Sequence, residues 1–485
     1  MIGKEETIQA RKPIKFGTDG WRAIIADDFT FDNVRLCAQG VANYANAKGI
    51  AGKGIVIGYD NRFASEDFAA ATAEVLCGNG VKVFLCPESA PTPVVSYGTV
   101  VKGAGGGIVI TASHNPAAWN GFKYKTQDGA SAPVEIATTI EQNIAKLSEL
   151  GVIRRASLEE ATRSGLLESF DIKPLYLAHL KGLVDVPRLR KAKLKLGIDP
   201  MWGCGIGYMR DLLAGGNLEL VEVNNHVNPA FPGMKQPEPI GPNLTALSDA
   251  VRRHSLDVGL ATDGDADRFG AVDGAGNALT TLQIYALLCL YLLEIRKERG
   301  LIVKTLTQTS MAEKLAKLFD VPIRETKIGF KYVAPIMIAE NAVMGGEESG
   351  GYGFRGHVPE RDGILAGLYF LDLMVSTGKN PTQLLDYLTE KVGPHSFDRR
   401  DIHFPADQRA RIVETIQKAM PQQLDGSKVT RRDTTDGFKY FLDDGAWLLV
   451  RFSGTEPLLR VYAEASSPER VQRLLDEGIK LAGVR

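Results

Sequence analysis

The chain has almost no net charge. Its 57 lysines and arginines stand against 58 aspartates and glutamates, which leaves −1 at pH 7. No basic excess remains for nucleic acid or an anionic membrane surface. Cysteine is scarce as well. The five residues (Cys37, Cys77, Cys86, Cys204 and Cys289) are scattered, odd in number and never spaced as CxxC. That excludes a disulfide framework and a thiolate metal site, and it fits a reducing cytosol. No apolar run reaches the ~20 residues that span a bilayer. The longest, LQIYALLCLYLLEI (282–295), reads as a buried helix. The first residues, MIGKEETIQARKP, hold no apolar segment of a secretory signal. The NLT sequon at Asn243 therefore carries little weight.

What is present is length and rhythm. A chain of 485 residues is too long for one core and implies about three to four domains. GIVIGYDNR (54–62) reads as a strand ending in polar residues, DFAAATAEVLCGNG (67–80) as a helix with a glycine stop, and VKVFLC (81–86) as a strand again. This alternation predicts parallel sheets with crossover helices, which bind ligands at the carboxyl ends of their strands. The rhythm returns in KLKLGIDPMWGCGIGYM (193–209), DVGLATDGDADRFGAV (257–272) and LIVKTLTQT (301–309). Strand-then-polar-loop units of this kind predict a diverged internal repeat. The helix before LIVKTLTQT is expected to end in IRKERG, with basic residues in its last turn and a capping glycine. Beyond about residue 393, YFLDDGAWLLVRFSGTEPLLRVYAEA predicts an antiparallel hairpin and a final helix, an α+β tail.

Four stretches carry chemistry. In VITASHNPAAWNGFKYK (109–125) a strand runs into Ser113 and His114, with Lys123 ten positions on from the serine. A lone serine is a poor nucleophile and is often only a helix cap. No G-x-S-x-G elbow supports a hydrolase triad. In DGDADR (263–268), Asp263, Asp265 and Asp267 follow an apolar strand at spacings of two. They suit a hard cation such as Mg²⁺ better than a solvated turn. A calcium EF-hand loop is excluded, because its glycine and glutamate positions hold Arg268 and Gly274. In RFSGTEP (451–457), Arg451, Ser453, Gly454 and Thr455 offer a guanidinium, two hydroxyls and a close backbone approach, a cradle for a phosphate dianion or a common turn. In GGEESGGYGFRGHVPERDG (345–363), a glycine-dense loop presents Glu347, Ser349, His357 and Arg361, groups able to read sugar hydroxyls, or else a flexible surface turn.

The order of these four motifs, together with FGTDGWR (16–22) and FPGMKQPEP (231–239), resembles the α-D-phosphohexomutase family over nearly the whole chain, and within it the phosphoglucomutase/phosphomannomutase branch. The resemblance implies three similar α/β domains and a C-terminal α+β domain around one cleft, at 1–167, 168–276, 277–393 and 394–485. It implies a reversible transfer of phosphoryl between C1 and C6 of a hexose phosphate, through phosphorylated Ser113 and a bisphosphorylated sugar such as glucose 1,6-bisphosphate. Mg²⁺ would sit on Asp263, Asp265 and Asp267 with the Ser113 phosphate. Lys123 and His114 become candidate acid/base groups, oriented by Arg22 and Arg268, and Gly121 is expected to turn the chain towards Lys123. Lys327 in ETKIGFKYV joins Glu347 and Ser349 as a substrate contact, and Arg451, Ser453, Gly454 and Thr455 hold the non-reacting phosphate. Where some relatives continue Gly-Glu-x-Ser-Gly with histidine, this chain has Gly351, so His357 or Arg361 is expected to take that role. The expected partner is a small hexose phosphate and the expected form a cytoplasmic monomer or homodimer.

Overall fold

The computed structural model describes residues 4–7, 13–17, 19–150, 152–453 and 458–484. Its strands form three mixed sheets and one antiparallel sheet, with a separate two-stranded pair. One topology is repeated three times. In the first sheet Ile55–Tyr59 lies between two parallel neighbours, Val83–Leu85 and Gly106–Ile110, and Trp119–Lys125 runs antiparallel beside the latter. In the second, Lys195–Asp199 lies between Glu219–Glu222 and Val258–Thr262, with Phe269–Asp273 antiparallel at the edge. In the third, Ile302–Thr305 lies between Ile323–Thr326 and Met344–Gly346, with Tyr352–Phe354 antiparallel. The internal repeat expected from the strand rhythm is therefore present as topology.

The physical reason for the apolar runs is burial on both faces. Ile55–Tyr59 and Val258–Thr262 are buried at every position, so their sequences read as continuous rather than alternating. One apolar cluster passes through all three units, from Val56 and Val109 through Leu196 and Leu260 to Ile302 and Met344. The units are thus cemented by core and not merely strung together. The last unit is a six-stranded antiparallel sheet backed by the helix Pro468–Ala482, which buries Val471, Leu474 and Leu475. Among the described residues no helix is long and apolar enough to cross a membrane, and all five cysteines are buried free thiols.

The strand Leu167–Ser169 pairs with Val83–Leu85 and so joins the first sheet. Two expectations need correction. The helix starting at Thr281, closed by a Thr280–Gln283 capping box, passes into a π turn at Tyr291–Ile295. The basic run that follows lies outside it, where Arg296 Nη1 donates to the Leu183 carbonyl instead of capping the last turn. Gly121 makes no turn. It sits within the strand Trp119–Lys125, and a Cβ there would come within 2.4 Å of the Thr111 carbonyl oxygen, so its role is close strand packing.

Candidate active site

In each repeated unit the connection from the third to the fourth strand carries one of the flagged motifs: residues 111–118, 263–268 and 347–351. Equivalent topology thus delivers three loops to one place. Ser113 is 1 % exposed and takes a left-handed backbone conformation (φ +52°). Its Oγ donates to Asp263 Oδ2 at 2.9 Å. The approach is close because residue 264 is glycine: a Cβ there would stand 2.5 Å from the Ser113 carbonyl oxygen.

Ser113 is held by a buried scaffold that motif reading did not find. Arg62 Nη2 donates to the carbonyls of Ser113 and Asn115, both at 2.6 Å, and Nη1 to those of Pro116 and Trp119 at 2.9 and 3.0 Å. Asp60 anchors the same guanidinium at 3.1 Å and accepts from Thr111 and Ser65. The only trace in the sequence was the polar end of GIVIGYDNR.

Carboxylate oxygens of Asp263, Asp265 and Asp267 lie within 4.8 Å of one another, all buried. Asp265 Oδ2 accepts from Thr92 Oγ1 (2.6 Å) and Lys123 Nζ (2.8 Å), and Asp267 Oδ2 from Arg361 Nη2 (2.5 Å). Asp265 Oδ1 and Asp267 Oδ1 are buried with no hydrogen-bond partner among the described residues. Orphaned anionic oxygens are costly, and two of them beside Ser113 Oγ form an all-oxygen set that fits a hard divalent cation. Burial, with Asp265 and Asp267 beside it, pushes the Asp263 carboxyl well up. Burial opposes charge on Asp265 too, but Lys123 and its hydrogen bonds hold that carboxyl below the usual range.

A ring of buried charge surrounds the aspartates. Lys123 lies 2.8 Å from Asp19 as well as from Asp265. Burial lowers its pKa, but these carboxylates more than compensate, so it is a firmly held ammonium. Arg361 links Asp267 to Asp19 at 2.9 Å and to Glu347 at 3.0 Å. Lys125 pairs with Glu360 at 2.5 Å and with Asp19 at 3.3 Å. Asp19, Lys125 and Glu360 were missed as site residues, although FGTDGWR, VITASHNPAAWNGFKYK and GGEESGGYGFRGHVPERDG between them contained all three. Burial works against the Asp19 charge, yet Lys123, Lys125 and Arg361 keep its carboxyl well below the usual range.

His114 Nδ1 lies 3.3 Å from Ser113 Oγ, and its Nε2 lies 3.5 Å from Arg268 Nη2. Burial, then Arg268 and Arg22, pull its pKa well down, so the ring is neutral. A guanidinium only donates, so Nε2 accepts and the proton belongs on Nδ1, facing the serine. His114 is then a donor to Ser113 Oγ rather than its base. Arg22 Nη1 donates to Asn115 Oδ1 (2.7 Å), and Arg268 Nη1 to Glu238 Oε1 (2.6 Å) in the FPGMKQPEP stretch.

The remaining candidates divide. Glu347 is buried against Arg361, and burial raises its carboxyl while Arg361 opposes the rise. Ser349 is half-buried in the same loop, and Lys327 is exposed. His357 does not join this centre. Its Nδ1 lies 3.0 Å from His179 Nε2 and its Nε2 2.8 Å from Asp362, in a stack with Tyr97. That stack holds the ring away from the aspartates, so of the two substitutes for the missing histidine Arg361 is the one that reaches them. Arg451 Nε pairs with Asp436 at 3.0 Å, and the buried Ser453 receives Arg409 Nη1 on its carbonyl. Gly454 and Thr455 lie outside the described residues.

A buried serine facing a carboxylate cluster with open oxygen valences, ringed by lysine and arginine, is the equipment of metal-assisted phosphoryl transfer. Four consecutive segments match the family descriptions of phosphoglucomutase/phosphomannomutase: alpha/beta/alpha domain I over residues 13–151, domain II over 174–276, domain III over 281–392 and the C-terminal domain over 406–481. The chain is 31% identical over 473 residues to a phosphoglucomutase/phosphomannomutase of Thermococcus kodakarensis, covering 96% of this chain and 98% of the relative. It is 30% identical over 469 residues to a probable phosphoglucosamine mutase of Methanothermobacter thermautotrophicus, covering 96% and 97%. The crystal structure of a putative phosphomannomutase from Thermus thermophilus superposes with a TM-score of 0.84 at 33% identity, covering 97% of this chain and 99% of that one. The chain belongs to the α-D-phosphohexomutase family, whose activity is that of an isomerase.

Proposed function

We propose that the protein is a phosphoglucomutase, moving phosphoryl reversibly between C1 and C6 of glucose phosphate. The observation that carries this reading is Ser113 Oγ at 2.9 Å from Asp263, beside the two unpartnered oxygens of Asp265 and Asp267. In the first half-reaction the bond from phosphorus to Ser113 Oγ breaks as a bond to a free sugar hydroxyl forms, and the hydroxyl proton leaves to a base. The resulting glucose 1,6-bisphosphate reorients, and its other phosphoryl returns to Ser113. Asp263, Asp265, Asp267 and the Ser113 phosphate would hold Mg²⁺, which supplies charge neutralisation to the transferring group when bound. Arg62 holds the serine loop, His114 donates to Oγ, and Lys123 and Arg361 offset the buried carboxylates. Glu347 and Ser349 are assigned to the sugar hydroxyls, Lys327 to a further substrate contact, and Arg451, Ser453, Gly454 and Thr455 to the phosphate that does not react.

The domain limits follow the same reading: about 1–169, 170–276, 277–393 and 394–485, with the first boundary set by the strand Leu167–Ser169. The four family matches fall inside these limits. Buried free thiols support a reducing compartment. The test is a coupled assay with glucose, mannose and glucosamine 1-phosphates, each primed with a trace of its bisphosphate. Glucose 1-phosphate is expected to have the highest kcat/KM. A clear win for glucosamine 1-phosphate, the substrate class named for the Methanothermobacter relative, overturns the sugar assignment and leaves the phosphoserine route standing. No turnover of any of the three makes the chain a silent phosphosugar-binding member of the family.

A further inference from the structure

Asp436 lies in the turn between the strands Ser427–Asp433 and Phe438–Leu442 of the last unit. Its two carboxylate oxygens serve two different domains. Oδ1 accepts from Arg451 Nε at 3.0 Å, and Oδ2 accepts from the backbone N–H of Ile328 at 3.1 Å. Ile328 follows Lys327 directly and precedes the helix Phe330–Glu340 of the third unit. One half-buried carboxylate thus ties the guanidinium assigned to phosphate to the loop that presents Lys327.

The turn is itself pinned. Gly437 has φ +106°, and a Cβ there would lie 2.8 Å from the Val450 carbonyl oxygen and 3.1 Å from Arg451 Cβ. Asp436 is therefore pressed against the strand that carries Arg451, and its place does not depend on its own rotamer alone. A guanidinium can meet phosphate through its Nη–Nη edge or its Nε–Nη edge. A carboxylate on Nε removes the second choice. It also sets the distance between the third and fourth units at the point where both present a cation.

We propose that Asp436 is a positioning residue for phosphate capture: it orients Arg451 and docks the Lys327 loop against the C-terminal domain. This rests on the phosphate-loop reading above, and the experiment separates the two. KM for glucose 1-phosphate, the inhibition constant of inorganic phosphate and kcat are measured for wild type, Asp436→Ala, Asp436→Asn, Arg451→Ala and the double variant Asp436→Ala/Arg451→Ala. Asp436→Ala is expected to raise KM and the phosphate constant together by about tenfold, in line with loss of one charge-assisted hydrogen bond, while kcat changes little. Asp436→Asn is expected to fall between, because one amide oxygen serves Arg451 or Ile328 but not both. The double variant should fall clearly short of the product of the two single effects, because Asp436 acts in part through that arginine and in part through the Ile328 backbone. Wild-type constants in Asp436→Ala, or effects that multiply in the double variant, overturn the proposal. Wild-type constants in Arg451→Ala overturn the phosphate-loop reading and the proposal with it. A loss of kcat at unchanged KM in Asp436→Asn would mark a packing role only and also overturns it.

Discussion

Replacing Arg62 by methionine tests the scaffold beneath Ser113. The volume is roughly kept, but the guanidinium, whose side chain is fully buried, is lost. The carbonyls of Ser113, Asn115, Pro116 and Trp119 each lose a donor, and Asp60 loses its counter-ion. Burial already pushes the Asp60 carboxyl up against the pull of Arg62, so the unpaired carboxylate will take up a proton or disrupt its surroundings. Breaking a buried pair by removing one partner costs about 3–5 kcal/mol, and the released carbonyls add to that. Ser113, left-handed at φ +52°, is the residue with most to lose, because nothing favours that conformation in a free loop. Chemical denaturation is expected to show the loss of stability. Turnover is expected to fall by more than a hundredfold, since a misplacement near 1 Å costs about that much. The companion Asp60→Asn/Arg62→Met removes both charges and should recover a large part of the stability without recovering turnover. A single variant as stable and as active as wild type would refute the reasoning, and so would a double variant that regains full turnover.

Other outcomes follow from the same geometry. Intact-mass spectrometry of wild type should show a phosphate adduct on part of the protein, absent from Ser113→Ala, whose turnover falls by several orders of magnitude; an adduct retained in the variant removes Ser113 as the carrier. Chelation should abolish turnover and Mg²⁺ restore it, and Asp265→Asn should lower kcat far more than it raises KM; full activity in chelator refutes the cation site. Asp199 is buried with neutral hydrogen-bond partners among the described residues, Met201 N–H and Asn224, and burial raises its pKa to about 7. The folded state therefore holds a proton that the unfolded chain has released between about pH 4 and pH 7, so wild-type stability falls across that window, by up to about 4 kcal/mol. Asp199→Asn does not titrate and should gain on wild type in melting temperature from pH 5 to pH 8; an unchanged gap between the two counts against the assignment. Glu347→Gln should weaken glucose, mannose and glucosamine phosphates together, since these share the hydroxyls at carbons 3 and 4, and galactose 1-phosphate should be rejected by wild type; equal use of galactose 1-phosphate removes Glu347 and Ser349 from the sugar.

What could be read from the sequence was whatever is local. Asp263, Asp265 and Asp267 share six residues, and Ser113 sits at the end of an apolar strand, so spacing and burial pattern were enough to suggest them. The repeated strand order was suggested by apolar runs whose cause, two covered faces, is a property of each strand. Partners distant in the chain left no such trace. Arg361 meets Asp19 across 342 positions, and Lys125 meets Glu360 across 235, so neither Asp19 nor Glu360 announced a role. His357 was misjudged for the same reason, since its ring is claimed by His179 on a helix of the second unit. The strand Leu167–Ser169 has no apolar pattern of its own and is held by its neighbour, so it left no sign in the sequence.

The placing of each motif between the third and fourth strands of its unit has a consequence for how such an enzyme can change. Those two strands are antiparallel neighbours, so both ends of the connecting loop are fixed by one ladder of hydrogen bonds. A loop held in that way can be lengthened or recut without shifting the sheet beneath it. On the proposed reading, phosphoryl carriage, cation binding and sugar recognition would therefore sit on three separate inserts of a common frame. Residues 348–350 can be exchanged for those of a relative while Glu347 keeps Arg361 and Gly351 keeps its bridge to Arg268. On that reading substrate preference would be free to drift by replacement of one insert, with the chemistry of the other two inherited unchanged.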